Sequence, residues 1–579
     1  MRRAVAFPIL ALLVVALVAA ANHAVYQAGM EWFVQKPSIL IVARNVLAVV
    51  MVLAGGWILI PASGRHRSLE NALLIGAALF GLGLAVQFRL GHDAPRQLSN
   101  AEIDAVQDSV ARSMAGRTAP EIAREATRDV RRRNSQLRRD FEAARVDTRL
   151  ARSLESAYGE TALTRGILAD RAIAPMDNPV FRFLPVVAAL VAIGFAARGD
   201  LAVMLPARWR MIGFYGSLAI CLLTVIYLTT VGGVRGANYA PQEILKLTLP
   251  IAWTGFLIHY RGALQAETRE RFTTSPLVLW LYILGLLTLP LLVFVVMRDF
   301  GQFLVIGIAQ VLLLAYFTRS ALYIVLFVAA LLATSVIVMS GSAFAGSALL
   351  TVLAIVLGSV LLIAALERFR RRDVLWTSAS FVLAGYIALV YLAVQLPYVS
   401  RIIATPRQRF LLWADLYSRR GNAAWWDQSR QIIESLYAFD AGGLLGRGLG
   451  HGSPFLIPKA SSDFIFAAIG EELGAVGAAL VVLAFGALAA IGLRIARNLG
   501  RDSFTGLLVA GYTLLLVAQA FVHITGTMNL LPMTGITLPL VSSGMSSLVV
   551  TWAMLGLIVG LAAQEGKTGK TIVIRSRSR

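Results

Sequence analysis

The stretch Lys459-Ala-Ser-Ser-Asp463-Phe-Ile-Phe-Ala-Ala-Ile-Gly-Glu471-Glu472-Leu-Gly474 sets one carboxylate directly against an apolar run. Two further carboxylates, Glu471 and Glu472, follow about two helical turns later. A lone acid at the start of an apolar segment is a candidate chemical centre, and we predict that Asp463 is the catalytic group. The alternative is that Asp463 caps the helix that follows, since Asp is a favoured N-cap residue.

The composition around this stretch is that of a membrane protein. Of the 579 residues, 58% are hydrophobic, and the mean hydropathy is +0.71, which is typical of a polytopic membrane protein and not of a soluble one. The formal net charge is +21, but the basic residues lie mostly in short loops between apolar segments, where they orient the chain. No nucleic-acid partner is therefore expected. The single cysteine, Cys221, excludes an intramolecular disulfide.

Apolar runs predict an all-α, polytopic membrane protein with about 14 transmembrane helices. The predicted spans are 6–24, 38–62, 70–90, 180–197, 211–231, 242–260, 275–297, 300–318, 321–341, 347–364, 377–399, 474–496, 505–528 and 540–563. Arginine and lysine in alternate loops place both termini in the cytoplasm and the loop 400–461 outside. Residues 1–24 also resemble a signal peptide, whose removal would leave the orientation of the later spans unchanged.

Polar residues near the ends of other spans add candidates. Glu243 and Lys246 are three residues apart, so on a helix they share one face and can pair. Because charge within a bilayer is costly, such a pair should face a cavity or the bundle interior. The alternative is an interfacial salt bridge that only fixes helix depth. Asp299, in the hairpin before the span 300–318, is either a helix cap or a second catalytic candidate.

The loop 400–461 carries Arg407, Arg409 and the run Gly442-Gly443-x-x-Gly446-x-Gly448-x-Gly450-x-Gly452. A glycine-rich backbone can cradle phosphate, and arginines beside it would suit a lipid-linked pyrophosphate. The run lacks a preceding strand and a Gly-Lys-Ser/Thr ending, which excludes an ATP-type P-loop. The alternative is a set of flexible glycine turns beside interfacial arginine and tryptophan anchors. An amphipathic helix is expected near 428–439.

Together these stretches resemble the SEDS (shape, elongation, division and sporulation) family. The family's Thr-Asp-Phe-Ile-Phe-Ala and Glu-Glu-Leu-Gly stretches are matched by Ser462–Ala467 and Glu471–Gly474. Its Pro-x-Thr-Gly-x-x-Leu-Pro-x-x-Ser-x-Gly-x-Ser-Ser motif is matched by Pro532–Ser547, with Ser543 and Met545 in place of a common Tyr and a Gly. The glycine run and the stretches around Glu243 and Asp299 follow the family order as well.

The resemblance implies a ten-helix core, which makes the other predicted spans additions to it. The expected segments are two extra amino-terminal helices (1–69), the first core helix (70–90), an extracytoplasmic helical insertion (91–179), a membrane core (180–399), an extracytoplasmic catalytic loop (400–473), a carboxy-terminal membrane core (474–565) and a basic cytoplasmic tail (566–579). The insertion is interpreted either as a partner-docking or shielding element or as an addition with no separate role.

The resemblance also implies a peptidoglycan glycosyltransferase of the bacterial cytoplasmic membrane. It would join lipid II units by an inverting reaction, in elongation or division, with release of undecaprenyl pyrophosphate. Asp463 would be the catalytic base. The implied substrate-binding residues are Lys246, Glu243, Arg407, Arg409, Ser543 and Gly544. A divalent cation, Mg²⁺ or Mn²⁺, is the expected cofactor, with no organic cofactor, and a class B penicillin-binding protein is the expected partner.

Two other classes of function fit parts of the pattern. A lipid II flippase would use a charged cavity to move the headgroup without bond chemistry, and a scaffold would only hold a transpeptidase. A transporter needs access from both faces and is commonly built from inverted repeats. The polar loops of this chain are concentrated on one side, which favours the polymerase.

Overall fold

The computed structural model describes nine continuous parts of the chain and a few isolated residues. The continuous parts are 2–32, 39–61, 66–92, 179–198, 241–259, 299–340, 404–416, 423–452 and 459–564. Wholly or largely outside them lie the predicted spans 211–231, 275–297, 347–364 and 377–399, the insertion 91–179 and the tail 566–579. Within the described parts all regular structure is helical, without a strand, as predicted.

The described residues form twelve α-helices and one 3₁₀ turn. They are α1 (Arg2–Trp32), α2 (Ile39–Leu59), α3 (Arg67–His92), α4 (Pro179–Arg198), the 3₁₀ turn Pro241–Ile244, α5 (Leu245–His259), α6 (Phe300–Thr318), α7 (Leu322–Ser340), α8 (Ala404–Ala414), α9 (Ala423–Gly442), α10 (Ile465–Asn498), α11 (Phe504–Thr527) and α12 (Met545–Ala562).

Eight of these helices are long and apolar enough to cross a membrane. They are α1, α2, α3, α6, α7, α10, α11 and α12. Helix α4 contributes a shorter apolar segment, Phe183–Arg198. The chain is therefore a multi-pass α-helical membrane protein, which confirms the predicted fold class. The count of about 14 spans and the cytoplasmic position of both termini stay predictions.

Helix α11 lies at the centre of the described bundle. It contacts α5, α6, α10 and α12, and its apolar side chains join one large buried cluster. Helix α12 also packs along α4. A β-carbon built on Gly556 would lie 2.9 Å from the β-carbon of Ala192, so the two backbones approach closely because both residues are small.

Helix α10 begins earlier than the sequence predicts. The predicted span starts at residue 474, but the helix starts at Ile465 and continues through a kink at Gly474, where φ is 68° and ψ is −171°. Glu471 and Glu472 lie before the kink and are buried. A glycine accommodates this left-handed backbone without the penalty that a β-carbon brings.

The predicted catalytic loop is largely helical where it is described. Helix α9 includes the amphipathic helix expected near 428–439, which is confirmed. It packs on α10 through the rings of Phe439 and Phe466, whose centroids are 5.6 Å apart. Helix α9 thus lies beside the start of α10, at the end of the bundle where Asp463 is found.

Candidate functional site

Asp463 lies in the turn immediately before α10. The N–H groups of Ser462 and Asp463 donate to the carbonyl of Lys459, at 3.1 and 3.0 Å. Phe464 is the N-cap residue of α10, and no side chain caps this helix. The interpretation of Asp463 as a helix cap is therefore wrong, and its carboxylate serves other contacts.

Two cationic side chains flank the Asp463 carboxylate. Lys459 Nζ lies 3.6 Å from Asp463 Oδ2, and the guanidinium of Arg409 also acts on this carboxylate. Gly535 lies against both groups, since a β-carbon built on it would be 3.5 Å from Asp463 Oδ2 and 3.8 Å from Arg409 Nη2. A β-carbon would be in ordinary van der Waals contact with both groups, and the φ of 75° at position 535 is left-handed backbone that favours glycine.

The surroundings of Asp463 favour its protonated form more than water does. Burial raises the pKa of the Asp463 carboxyl above its ordinary value, while Lys459, a hydrogen bond with Ser462 and Arg409 oppose the rise. The side chain is still 15% exposed, so a substrate hydroxyl can reach it. A general base works best when its pKa approaches the operating pH, and burial shifts the pKa of this carboxyl in that direction.

Arg409, on α8, connects Asp463 to two other segments. Its Nη1 donates a hydrogen bond of 2.6 Å to the carbonyl of Thr534. Burial lowers the pKa of the Arg409 guanidinium, and the carboxylates of Asp463 and Asp299 counter this effect. An arginine nevertheless stays charged in a protein. Arg407, two residues earlier on α8, is exposed, and its predicted contact with substrate stays a prediction.

Asp299 is the N-cap residue of α6. Its Oδ1 accepts a hydrogen bond of 3.1 Å from the N–H of Gln302. The capping interpretation is therefore confirmed. Because the same carboxylate acts on Arg409, the cap also places a second negative charge beside that guanidinium.

Glu243 and Lys246 form an ion pair inside the bundle. Lys246 Nζ lies 2.6 Å from Glu243 Oε2, and the two side chains are 1% and 7% exposed. Gln302 donates to Glu243 Oε1 at 2.7 Å, and Lys246 donates to Gln519 Oε1 at 2.8 Å. The prediction that the two residues pair and face the bundle interior is confirmed. Their contact with substrate stays a prediction, and in this structure the pair is bound by protein groups.

Ser543 and Gly544 lie in the motif that supports the Asp463 turn. The N–H and the Oγ of Ser543 both donate to the carbonyl of Ser461 at 3.0 Å. Ser542 Oγ donates to the next carbonyl, that of Ser462, at 2.7 Å. Gly544 is the N-cap residue of α12. The structure thus assigns Ser543 to the backbone before Asp463, and substrate binding by Ser543 and Gly544 stays a prediction.

The glycine run folds against the kink of α10. The N–H groups of Arg447 and Gly448 donate to the carbonyls of Glu471 and Glu472, at 3.0 and 2.9 Å. The N–H of Gly450 donates to Glu472 Oε1 at 3.2 Å. Because these amides already bond to protein acceptors, the structure favours glycine turns over a phosphate cradle.

Two polar residues of α11 complete the site and were missed by the sequence reasoning. Gln519 Nε2 donates to the carbonyl of Thr537 at 2.9 Å, and His523 Nδ1 bonds to the carbonyl of Ile536 at 2.7 Å. Both side chains are buried. They are isolated polar residues one helical turn apart in an apolar span, and that spacing is the signal that could have revealed them.

The arrangement can accept a proton at Asp463 with positive charge beside it. Among the described residues, no group of three or more His, Cys, Asp or Glu side chains could hold a metal ion. A cation site built from protein ligands alone therefore does not fit this part of the chain. Mg²⁺ is often held by one or two carboxylates together with substrate phosphates. Asp463 and Asp299 are the candidate carboxylate ligands for such a site.

Residues 344–567 match the model of the FtsW/RodA/SpoVE family, described as "Cell cycle protein". "Peptidoglycan glycosyltransferase RodA" of Mycobacterium leprae is 37% identical over 189 residues, which are 31% of this chain and 40% of that protein. "Probable peptidoglycan glycosyltransferase FtsW" of Geobacter metallireducens is 37% identical over 172 residues, which are 28% of this chain and 46% of that protein. The chain thus spans less than half the length of these relatives.

One solved structure, described as "Structural coordination of polymerization and crosslinking by a peptidoglycan synthase complex", is 20% identical to this chain. The match covers 70% of this chain and 95% of the other, with a TM-score of 0.39. That likeness is too slight for the two folds to be compared helix by helix.

Proposed function

We propose that this chain is a peptidoglycan glycosyltransferase of the FtsW/RodA/SpoVE family, because residues 344–567 match that family's model and the similar proteins are named for this activity. The proposed reaction joins lipid II disaccharide units into glycan strands in cell-wall elongation or division. The observation that carries the proposal is the placement of Asp463, a partly buried carboxylate with a raised pKa between Lys459 and Arg409.

In this reaction Asp463 is the general base. The 4-hydroxyl of the acceptor sugar gives its proton to the carboxylate while its oxygen attacks the anomeric carbon of the donor. The bond from that carbon to the pyrophosphate oxygen breaks, and its electron pair leaves with undecaprenyl pyrophosphate. A single displacement inverts the anomeric centre and needs no covalent sugar–enzyme intermediate. General-base assistance is typically worth about 10²–10⁴-fold in rate.

The cationic residues around Asp463 support the departure of the pyrophosphate. Charged donors fixed where negative charge develops stabilise a transition state strongly, because they need no reorganisation during the reaction. Arg409 is fixed in this way by Thr534, and Arg407 is exposed on the same helix. Arginine is well suited to phosphate oxygens because its donors form a planar fork. Lys246 contacts this region indirectly, because it donates to Gln519, which in turn donates to the carbonyl of Thr537 in the loop beside Asp463.

A divalent cation, Mg²⁺ or Mn²⁺, is part of the proposal. It would take Asp463 or Asp299 as a protein ligand and most of its other ligands from the pyrophosphate and water. Bound there, it would neutralise charge on the leaving group. Polymerisation that survives removal of divalent cations with a chelator would remove the cation from the proposal.

We place the loop 400–473 on the outer face of the bacterial cytoplasmic membrane. The distribution of basic residues among the short loops supports this orientation. A reporter fused after Gly421 should read outside, and one fused at Arg579 should read inside. An inside reading after Gly421 would put the site on the wrong face for lipid II polymerisation.

We also propose a class B penicillin-binding protein as the partner. The resemblance of the motifs to those of the SEDS family supports this assignment. Residues 93–178 of the insertion lie outside the described residues, and the insertion's predicted position on the outer face makes it a second candidate contact. Deletion of residues 100–160 should weaken co-purification of the partner. Unchanged binding would assign the contact to the membrane helices alone.

Incubation of the purified protein with lipid II tests the proposed function. We expect glycan chains that a muramidase degrades, made at a rate that grows with protein concentration. A flippase would instead carry the headgroup across a vesicle membrane without forming chains. Lipid II transport by purified protein that forms no chains, with or without the partner, would overturn the polymerase proposal.

A further inference from the structure

The loop between α11 and α12 is held over the Asp463 site by side chains of α11. Residues 528–544 contain neither helix nor strand, and side chains from other segments bond to backbone carbonyls in their middle part, residues 534–537. Gln519 donates to the carbonyl of Thr537, and His523 bonds to the carbonyl of Ile536. Gln519 also receives a hydrogen bond from Lys246 and so belongs to the buried ion-pair network.

The bond between His523 and Ile536 fixes the position of the imidazole proton. A carbonyl oxygen only accepts hydrogen bonds, so Nδ1 must carry the proton, and in a neutral ring Nε2 keeps its lone pair. Nε2 is buried and has no hydrogen-bond partner in the part of the chain that the structure describes. The imidazole therefore has one described hydrogen bond, and that bond goes to the loop.

From this anchor the loop reaches the proposed base and its arginine. The carbonyl of Thr534 accepts the hydrogen bond of Arg409. The next residue, Gly535, lies against Asp463 Oδ2. The residue after that is Ile536, which is buried against Gly301 at the start of α6. The His523 bond thus fixes a carbonyl two residues from the one that holds Arg409.

We propose that His523 is a positioning residue for the transfer reaction. By donating from Nδ1 to the carbonyl of Ile536, it keeps residues 534–537 where they orient Arg409 and limit the space around Asp463. The role rests on the proposed glycosyltransferase function. His523 is assigned no contact with substrate, so its effect reaches the chemistry only through the loop.

Two substitutions separate the hydrogen bond from the bulk of the side chain. His523→Asn keeps an N–H donor close to the position of Nδ1, and His523→Leu keeps an apolar side chain of similar size without a donor. We expect His523→Leu to lower kcat for lipid II polymerisation by at least about 10-fold with little change in KM, because a displacement of about 1 Å can cost about 10²-fold. We expect His523→Asn to recover most of the parental kcat.

A matched control is Thr513→Val on the same helix. It removes a buried hydroxyl that donates to the carbonyl of Val509 at 2.7 Å within α11. We expect its kcat to equal that of the parent. A parental kcat in His523→Leu, or equal losses in His523→Leu and His523→Asn, would overturn the positioning role.

Hydrogen exchange provides a readout that does not depend on lipid II. In peptides from 531–541, exchange should be faster in His523→Leu than in the parent and unchanged in His523→Asn. Unchanged exchange in His523→Leu would show that the hydrogen bond from His523 to Ile536 does not hold the loop in place, and it would overturn the proposal. If the parent protein makes no glycan chains but the exchange pattern is as expected, the proposed function is rejected, while the role of His523 in holding the loop is retained.

Discussion

Arg409 Nη1 donates a hydrogen bond of 2.6 Å to the carbonyl of Thr534, a residue 125 positions later in the chain. This bond ties α8 to the loop before α12, beside the carboxylates of Asp463 and Asp299, which act on the same guanidinium. One arginine therefore bonds to the loop before α12 and lies within the electrostatic reach of two carboxylates from other segments.

Arg409→Lys should keep the charge but lose the geometry of the site. A lysine ammonium is a point charge and cannot reproduce the planar guanidinium that donates to the carbonyl of Thr534. We expect polymerisation of lipid II by purified protein to fall by about 10-fold or more, the order of loss that a small misplacement causes.

The control for this change is Arg447→Lys. Arg447 is exposed, and its Nε donates to the carbonyl of Ala441 away from Asp463. Its variant should polymerise at the parental rate. If Arg409→Lys is as active as Arg447→Lys, a point charge suffices at position 409.

The acidic side of the pH–rate profile should report the Asp463 carboxyl. A general base must be deprotonated, so the rate rises as pH rises through its pKa. Burial raises that pKa and Lys459 lowers it. Lys459→Met should therefore move the midpoint of the acidic limb to higher pH, whereas Lys459→Arg, which keeps the charge, should leave it near the parental value. A shift to lower pH in Lys459→Met would contradict the assignment.

The buried pair of Glu243 and Lys246 should show strong coupling in stability. Lys246→Met leaves the Glu243 carboxylate buried without its cation, and breaking such a pair costs about 3–5 kcal/mol. The double variant with Glu243→Gln removes both charges and should recover most of that loss. Thermal unfolding in nanodiscs of the parent, both single variants and the double variant measures the coupling. Additive losses would show that the two charges act independently.

The contact between α1 and the glycine run predicts a difference between two glycines with positive φ. Gly450 and Gly443 have φ values of 86° and 54°. A β-carbon at Gly450 would lie 2.5 Å from that of Ala28, whereas one at Gly443 meets nothing within 4 Å. Both Ala variants carry the left-handed penalty of roughly 1–2 kcal/mol, and only Gly450→Ala adds a steric clash.

Gly450→Ala should therefore unfold at a lower temperature than Gly443→Ala, and adding Ala28→Gly should restore part of the difference. Equal unfolding temperatures for the two single variants would show that α1 is not in tight contact with the glycine run at position 450. The comparison also tests whether α1, the first of the two predicted extra amino-terminal helices, supports the segment that bonds to Glu472.

Hydropathy predicted most of the described helices, because a bilayer-spanning helix needs a long apolar run. The predicted span 505–528 corresponds to Phe504–Thr527. The same rule misplaced the start of α10, since Glu471 and Glu472 are polar in sequence. They are buried because amides of the glycine run bond to their backbone carbonyls and to the Glu472 carboxylate, contacts that no local pattern reveals.

The candidate site, like the fold, was predicted only in part from the sequence. Asp463 was found because it adjoins an apolar run within a long motif, and the Glu243–Lys246 pair because three-residue spacing places side chains on one helix face. His523 and Gln519 were missed because their partners, Ile536 and Thr537, lie in a loop whose path is set by tertiary contacts.

The rate of lipid II polymerisation by purified Asp463→Asn is the most direct test of the proposed mechanism. Asn keeps the size of the side chain and cannot take a proton as a carboxylate does. We predict a protein that folds and binds its partner but polymerises at least about 10²-fold more slowly than the parent, the low end of general-base contributions. A stable Asp463→Asn protein that makes glycan chains at the parental rate would contradict the base assignment and point to Asp299 or Glu243 instead.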